Sequence, residues 1–212
     1  MKTNNIQVSP FRDVVEAIVS GDGVTVIRML DASPHLAKEC AAHGATRQAA
    51  KQNFFDRILH YMYEGDTALH MAAAAYQACI VEELIARSAD VSARNRRGAE
   101  PLHYAVDGGP GLPAWNPIAQ TKIITRLVQA GADPNAVDKS GVAPLHRAVR
   151  NRSAAAVRAL IDCGADPRAP NRNGSTPTLL ATQNTGRGGS GSAEAKAQQE
   201  EIVRLLMEHG AT

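Results

Sequence analysis

The stretch from Gly141 to Asn171 reads GVAPLHRAVRNRSAAAVRALIDCGADPRAPN, and a similar one, GDTALHMAAAAYQACIVEELIARSADVSARN, begins at Gly65. Each has a short Ala-rich segment after Leu-His, a longer apolar segment, and a turn of small residues. Partial copies begin GAEPLHYAVDGG at Gly98 and GSTPTLLATQN at Gly174. Recurrence of one pattern along the chain indicates a structural unit that is repeated.

The spacing of the copies is regular. Gly65 and Gly98 are 33 residues apart, as are Gly141 and Gly174, whereas Gly98 and Gly141 are 43 apart, which is one period plus ten residues. A period near 33 with a T-P-L-H-like start and a G-A-D-like end is the pattern of ankyrin repeats. From Gly65 onward the chain therefore resembles the ankyrin repeat family.

The resemblance implies an all-α solenoid of about five helix-turn-helix repeats with short β-hairpin loops, in a single domain, 1–212. Copy one is a degenerate N-cap repeat with two apolar segments around Gly21 but no T-P-L-H. An inserted segment separates it from copy two, and copies three and five carry inserts of their own. The expected bounds are 11–36 for copy one, 37–62 for the inserted segment, 63–97 for copy two, 98–140 with an insert at 108–117 for copy three, 141–173 for copy four, and 174–212 with an insert at 185–197 for copy five, the C-cap repeat.

Local residue choices suit these helices. Thr67 and Thr176 can cap a helix through the side-chain oxygen, and Pro144 suits a first helical turn. Ile80 and its apolar neighbours up to Ile85 fall on one helical face. Ser88 replaces the glycine expected at a left-handed helix end, which predicts some backbone strain.

The inserted segment 37–62 has apolar residues at helical spacing, namely Phe54, Phe55, Ile58, Leu59 and Met62. This spacing predicts an extra helix. Such a helix could pack over the stack or its hairpin edge, or could simply shield a weak terminal copy.

The other two inserts lie between the helices of their copies and should emerge on the same edge. Trp115, the only tryptophan, follows a Pro/Gly-rich loop and could contact a partner or pack locally. The stretch 185–192 is Gly-rich but lacks the lysine of a phosphate-binding loop. A flexible linker is therefore favoured there over a phosphate site.

The recurring histidines His70, His103 and His146 suggest a metal or catalytic ladder at first sight. Helices of successive copies pack about 10 Å apart, too far for these side chains to share one metal. The resemblance instead implies that they tie loops together by hydrogen bonds. No catalytic motif is found, so neither an enzyme, a cofactor nor a metal is predicted.

Composition limits the class of protein. The formal net charge of +2 and the low aromatic content of 4% disfavour nucleic-acid binding. No apolar run is long enough to cross a membrane, and the first ten residues contain no signal-peptide pattern. The three cysteines are far apart and are predicted to be small core residues in a reducing, cytoplasmic setting.

Function is predicted from the family resemblance and from charge. In ankyrin repeats, the positions after the repeated histidine face a concave groove. Arg87 to Arg172 contains thirteen Lys/Arg against seven Asp/Glu, which predicts a monomeric protein-binding module for an unknown partner with an acidic patch. A merely solvated face, a small-ligand or phosphate site at the Trp115 edge, and a host-directed effector remain alternatives. The candidate contacts are Tyr104, Asp107, Arg147 and Arg150 on first helices, Trp115 on the insert, and Arg97 and Arg172 on the hairpins.

Overall fold

The computed structural model describes residues 9–183 and 192–211, and its helices follow one another in pairs. The first helix of each pair contacts the first helix of a neighbouring pair, and the second helices form an outer layer in the same order. The pairs are α1 (Pro10–Ser20) with α2 (Gly23–Ala32), α3 (Ala68–Ala74) with α4 (Ala78–Ala86), α5 (Pro101–Ala105) with α6 (Pro117–Gln129), α7 (Pro144–Arg150) with α8 (Ala154–Asp162), and α9 (Pro177–Thr182) with α10 (Ala193–Glu208). This arrangement confirms the predicted all-α repeat solenoid.

Helix boundaries follow from the side chains at the ends. The Oγ1 atom of Thr67 accepts a hydrogen bond from the backbone N of His70 at 3.4 Å, so α3 begins where a cap was predicted. Ser88 follows α4 with a φ of 59°, a left-handed conformation that costs a non-glycine residue some strain.

The core is a thin apolar layer along the stack. All residues of α3 are buried, most of them alanines, which lets neighbouring first helices approach closely. Ile123, Ile124 and Leu127 of α6 are fully buried against them. Burial of this apolar area, at roughly 25 cal/mol per Å², stabilises neighbouring copies only when they are stacked.

Hairpin loops connect the copies and bond to one another. Within one loop the backbone N of Asn95 donates to Ala99 O at 3.1 Å. Across loops, Arg96 N donates to Glu64 O at 2.8 Å and Lys139 N to Arg97 O at 2.9 Å. These bonds hold the loops on one side of the stack.

The helix predicted in the inserted segment 37–62 is wrong. Strands β1 (Phe54–Phe55) and β2 (His60–Tyr61) form an antiparallel pair there, after two short 3₁₀ helices at Pro34–Ala37 and Lys51–Asn53. Leu59 lies in the turn with a φ of 52°, which a continuous α-helix excludes. The strand pair β1–β2 with its turn is called the insert hairpin (54–61) below.

Other predictions also need correction. Helix α10 begins at Ala193, so residues 193–197 form its first turns rather than part of an insert. The preceding Gly-rich residues 184–191 lie outside the described part of the chain, and with them most of the predicted linker. Cys40 and Cys79 are exposed and Cys163 is partly buried, so none is the buried core thiol that was predicted. Among the described helices, none has the length and apolarity needed to cross a bilayer.

A candidate partner-binding groove

A cavity of about 640 Å³ lies between the hairpin loops, the insert hairpin and the first helices of copies three and four. Asp107, which follows the end of α5, and Arg147, within α7, line it as partly buried residues. Arg97 and Arg150 line it as exposed ones, and Tyr61 belongs to its wall on the insert hairpin. We call this space the groove.

Tyr104 was predicted as a partner contact, but it is only 2% exposed. Its hydroxyl donates to Asp66 Oδ2 at 2.8 Å and accepts from Asn95 Nδ2 at 2.9 Å. Burial, followed by the nearby Asp66 carboxylate, raises the pKa of Tyr104 well above its ordinary value. Tyr104 therefore joins two copies internally, and although it lines the groove it offers a partner little exposed surface.

Asp107 and Arg147 are occupied with each other. Arg147 Nη1 lies 3.3 Å from Asp107 Oδ2, and its Nη2 lies 3.0 Å from Asp138 Oδ2. Burial acts to raise the pKa of Asp107, but Arg147 and His60 outweigh it and the pKa lies below its usual value. These two predicted contacts are thus part of a charge network in the wall of the groove.

His60 completes this network and was missed by the sequence reasoning. Its Nε2 atom lies 3.1 Å from Asp107 Oδ2, and its Nδ1 atom lies 2.8 Å from Tyr61 O. Because both partners only accept hydrogen bonds, the two contacts are satisfied together by the doubly protonated ring. Burial lowers the pKa of His60, but the hydrogen bond to Asp107 and the surrounding carboxylates outweigh it and raise the pKa above its usual value.

The ring of His60 also packs on Tyr104, with centroids 4.5 Å apart. The insert hairpin is thereby fixed over the first helix of copy three. A clue was present in the sequence: His60-Tyr61-Met62-Tyr63 is dense in polar aromatics, but its partners lie more than 40 residues away along the chain.

The other three candidate arginines differ from Arg147. Arg150 is exposed and lines the groove, and in residues 9–183 and 192–211 it has no carboxylate partner. Arg97 Nη1 donates to Tyr63 Oη at 3.0 Å, and its guanidinium carbon lies 5.0 Å from the centre of that ring. Arg172 is exposed on the next loop but is not among the residues lining the groove.

Trp115 is anchored rather than free. Its Nε1 atom donates to Gln120 Oε1 at 3.2 Å. Gln120 is fully buried, and it also accepts from Ser153 Oγ at 2.7 Å and donates to Ala105 O at 3.1 Å. One amide therefore connects the loop of copy three with copy four, and the indole packs locally while remaining partly exposed.

The histidine ladder has the tying role that the resemblance implied at two of its three positions. His70 Nε2 lies 3.1 Å from Ala99 O, and His103 Nε2 lies 3.0 Å from Val142 O. Burial, with Arg147 as the next cause, lowers the pKa of His103 to about 4, so the ring is neutral and its Nε2 donates. In the described residues, no group of three or more metal-ligating side chains could hold a metal ion.

The comparisons with known proteins agree with this geometry. A family model described as ankyrin repeats (3 copies) matches residues 37–111 and 116–212. The four residues between the two matched ranges contain Leu112 and Trp115 of the insert at 108–117. Among curated proteins, none matches the chain. Since the family model covers most of the sequence and the fold is a stack of paired helices, the chain belongs to the ankyrin repeat family.

Proposed function

We propose that this chain is a protein-interaction module that binds an acidic protein partner in the groove. Ankyrin repeats generally act in protein–protein interaction, and repeats of this kind present an extended concave surface. The observation that carries the proposal is the pair of exposed arginines, Arg97 and Arg150, which line the groove without a carboxylate partner in the described chain.

Electrostatics favour an anionic partner. The two acidic side chains that line the groove, Asp107 and Asp138, both lie within 3.3 Å of the guanidinium of Arg147. Their charge is therefore largely compensated inside the protein. The remaining exposed charge is positive, which attracts acidic surfaces and raises the rate of association with them.

A rigid groove also lowers the cost of binding. The groove wall is held by buried hydrogen bonds, among them those of Tyr104, and by the ion pairs of Arg147. A surface that is already ordered loses little conformational entropy when it binds. Membership of a scaffold-type family and the presence of the groove support binding rather than catalysis. We also propose that the protein is cytoplasmic and monomeric.

Affinity capture from a cell extract tests this proposal. The double variant Arg97→Glu/Arg150→Glu should lose specifically captured proteins, whereas Arg28→Glu/Lys38→Glu, with the same charge change at exposed positions outside the groove, should retain them. Arg147 is not suitable for this test because its replacement would disturb the groove itself. Recovery of the same proteins by wild type and both double variants would refute binding in the groove.

A further inference from the structure

A second, smaller cavity lies where the two inserts meet. It has a volume of about 70 Å³, and its walls include Leu59 of the insert hairpin together with Leu112 and Trp115 of the loop insert. Leu59 is 47% exposed and Leu112 is 41% exposed. Apolar side chains around a concave space are removed from water when an apolar group enters it, and that is favourable. We call this cavity the notch.

The notch is continuous with the groove. Leu59, His60, Asp107 and Gly108 line both cavities. The chain therefore places an apolar notch directly beside a positively charged groove. The exposed apolar side chains of the notch, Leu59 and Leu112, come from inserts, whereas Ala74 and Tyr76 of copy two form its floor. The family match omits residues 112–115 of one of these inserts.

The chemistry of the two cavities is different and complementary. In the groove, Asp107 is paired with His60 and Arg147, which leaves the exposed guanidinium of Arg150 to meet an anion. In the notch, the exposed side chains are aliphatic. A ligand that uses both must carry an acidic group and an apolar group close together.

We propose that the groove and the notch together bind an extended acidic segment of a partner protein, with one aliphatic side chain in the notch and a neighbouring carboxylate on Arg150. This inference rests on the proposed function and specifies its partner. Successive side chains of an extended segment point to opposite sides, so adjacent residues can reach two different cavities. Nucleic acid supplies phosphates but no aliphatic side chain, and would leave the notch empty.

Selection of random dodecapeptides displayed on phage, against the full chain, tests the inference without a known partner. Selected sequences should share an aliphatic residue next to Asp or Glu. A fluorescein-labelled peptide of the selected sequence should bind about tenfold more weakly to Arg150→Glu and to Leu112→Asp, measured by fluorescence anisotropy, because burying one aliphatic side chain or pairing one charge is worth that much. Ile118→Asp is the matched control, since Ile118 is 83% exposed and lines neither cavity; it should bind within about twofold of wild type.

The possible outcomes separate the two proposals. If Arg150→Glu weakens peptide binding but Leu112→Asp does not, the proposal that the ligand occupies the notch is overturned, whereas protein binding in the groove still stands. Failure to select any peptide sensitive to Arg150→Glu, or displacement of the peptide by a labelled single-stranded RNA of twenty nucleotides at equal concentration, would overturn an extended acidic segment as the ligand. The capture experiment, which uses folded proteins, would then decide the proposed function alone. Because the replaced positions are exposed, unchanged thermal unfolding confirms that each variant is folded.

Discussion

The joints between successive copies are built in two ways. At the joint between copies two and three, His70 bonds to Ala99 O, and the hairpin loop that ends copy two bonds through Arg96 N to Glu64 O of the preceding loop. At the joint between copies three and four, His103 bonds to Val142 O, and the hairpin loop that ends copy three bonds through Lys139 N to Arg97 O of the preceding loop. These inner joints are held by a side-chain tie and by a backbone bond between loops.

The joint between copies four and five lacks both features within the described residues. The Nε2 atom of His146 is buried without a hydrogen-bond partner there, and Leu179 takes the place of the next histidine. Instead, Arg152 is buried at the joint, and its guanidinium donates to Ala181 O at 2.8 Å and to Gln183 O at 2.7 Å. The last copy is therefore bonded at the end of its first helix, and its second helix is bonded too, because Ala154 N donates to Gln198 Oε1 at 2.9 Å.

This difference shows that the repeat scaffold can use different contacts at different joints while the helices stack in the same way. Asp107, Asp138 and Arg147 of the inner joints line the groove, as do Asn171 and Asn173 of the loop at the last joint. We therefore expect replacements of the three charged residues to affect both stability and binding, and replacements of Arg152 or His146, which do not line the groove, to affect stability alone.

The largest effect is expected at Arg152. Arg152→Ala should lower the free energy of unfolding by about 3 kcal/mol, because one buried and one partly buried hydrogen bond from a charged donor are lost and Gln183 O is left without this donor. Urea unfolding followed by circular dichroism measures this. The control is Arg158→Ala, which removes a largely exposed ion pair with Glu201 across the same joint and should cost under about 1 kcal/mol. Equal effects of the two replacements would contradict the role given to Arg152.

The histidines allow the two kinds of joint to be compared directly. His103→Ala removes the bonds of Nδ1 with Glu100 N and of Nε2 with Val142 O, whereas His146→Ala removes only the bond of Nδ1 with Ala143 N. We expect the free energy of unfolding to fall by about 2 kcal/mol for His103→Ala and by about 1 kcal/mol for His146→Ala. The same urea measurement applies, and a greater loss for His146→Ala would show that the last joint is tied in the same way as the others.

Tyr104→Phe tests the hydroxyl that links the loop of copy two to the first helix of copy three. Asp66 Oδ2 would lose one of its two donors and keep Tyr63 N, while the ring would stay packed between His60 and His70. The free energy of unfolding is expected to fall by about 1.5 kcal/mol. The groove should then bind the selected peptide as wild type does, because the hydroxyl is buried; a strong loss of affinity without a loss of stability would mean that Tyr104 does contact the partner.

A smaller, pH-dependent effect is expected from His60. The pKa of His60 is raised in the folded protein. Protonated His60 therefore stabilises the fold fully below its unfolded pKa of about 6.5, and this stabilisation is lost as the pH rises through the folded pKa. His60→Gln should therefore cost about 1 kcal/mol near pH 5.5 and less near pH 8.5, measured by urea unfolding at both values.

The wild-type profile alone would not isolate this effect. The lowered pKa of His103 has the opposite sign, since folding is destabilised as the pH falls from about 6.5 toward its folded value of about 4. The quantity to compare is thus the difference between wild type and His60→Gln. His35→Gln is the control, because the side chain of His35 is 72% exposed. If the difference in the free energy of unfolding between wild type and His60→Gln grew toward alkaline pH, it would contradict the conclusion that His60 is protonated in the folded protein.

The repeat period predicted the helix pairs, because each helix is specified by nearby residues such as the capping Thr67 and by apolar spacing. The insert hairpin was mispredicted because Phe54, Phe55 and Ile58 have a spacing that fits a helix, whereas pairing of Phe54 with Tyr61 is decided by packing on the stack. Local patterns do not contain that information.

The candidate site shows the same limit. Arg97 and Arg150 do line the groove, since their place in the repeat fixes their direction. Tyr104 is buried because His60, from an insert of irregular structure, packs on it. Opposite charges at Asp107, just after α5, and at Arg147, on α7 of the next copy, were a signal in the sequence that these side chains would pair.

The loop insert of copy three is clamped at both ends. Before it, Tyr76 Oη donates to the carbonyl of Asp107, and a Cβ at Gly109 would lie 1.8 Å from Asn151 O, so only glycine fits. Near its end, Trp115 Nε1 donates to Gln120 Oε1. The tip, residues 111–114, is exposed. Under the proposed function, substituting or lengthening that tip would change which ligand the notch accepts, at little cost to folding because the tip is exposed.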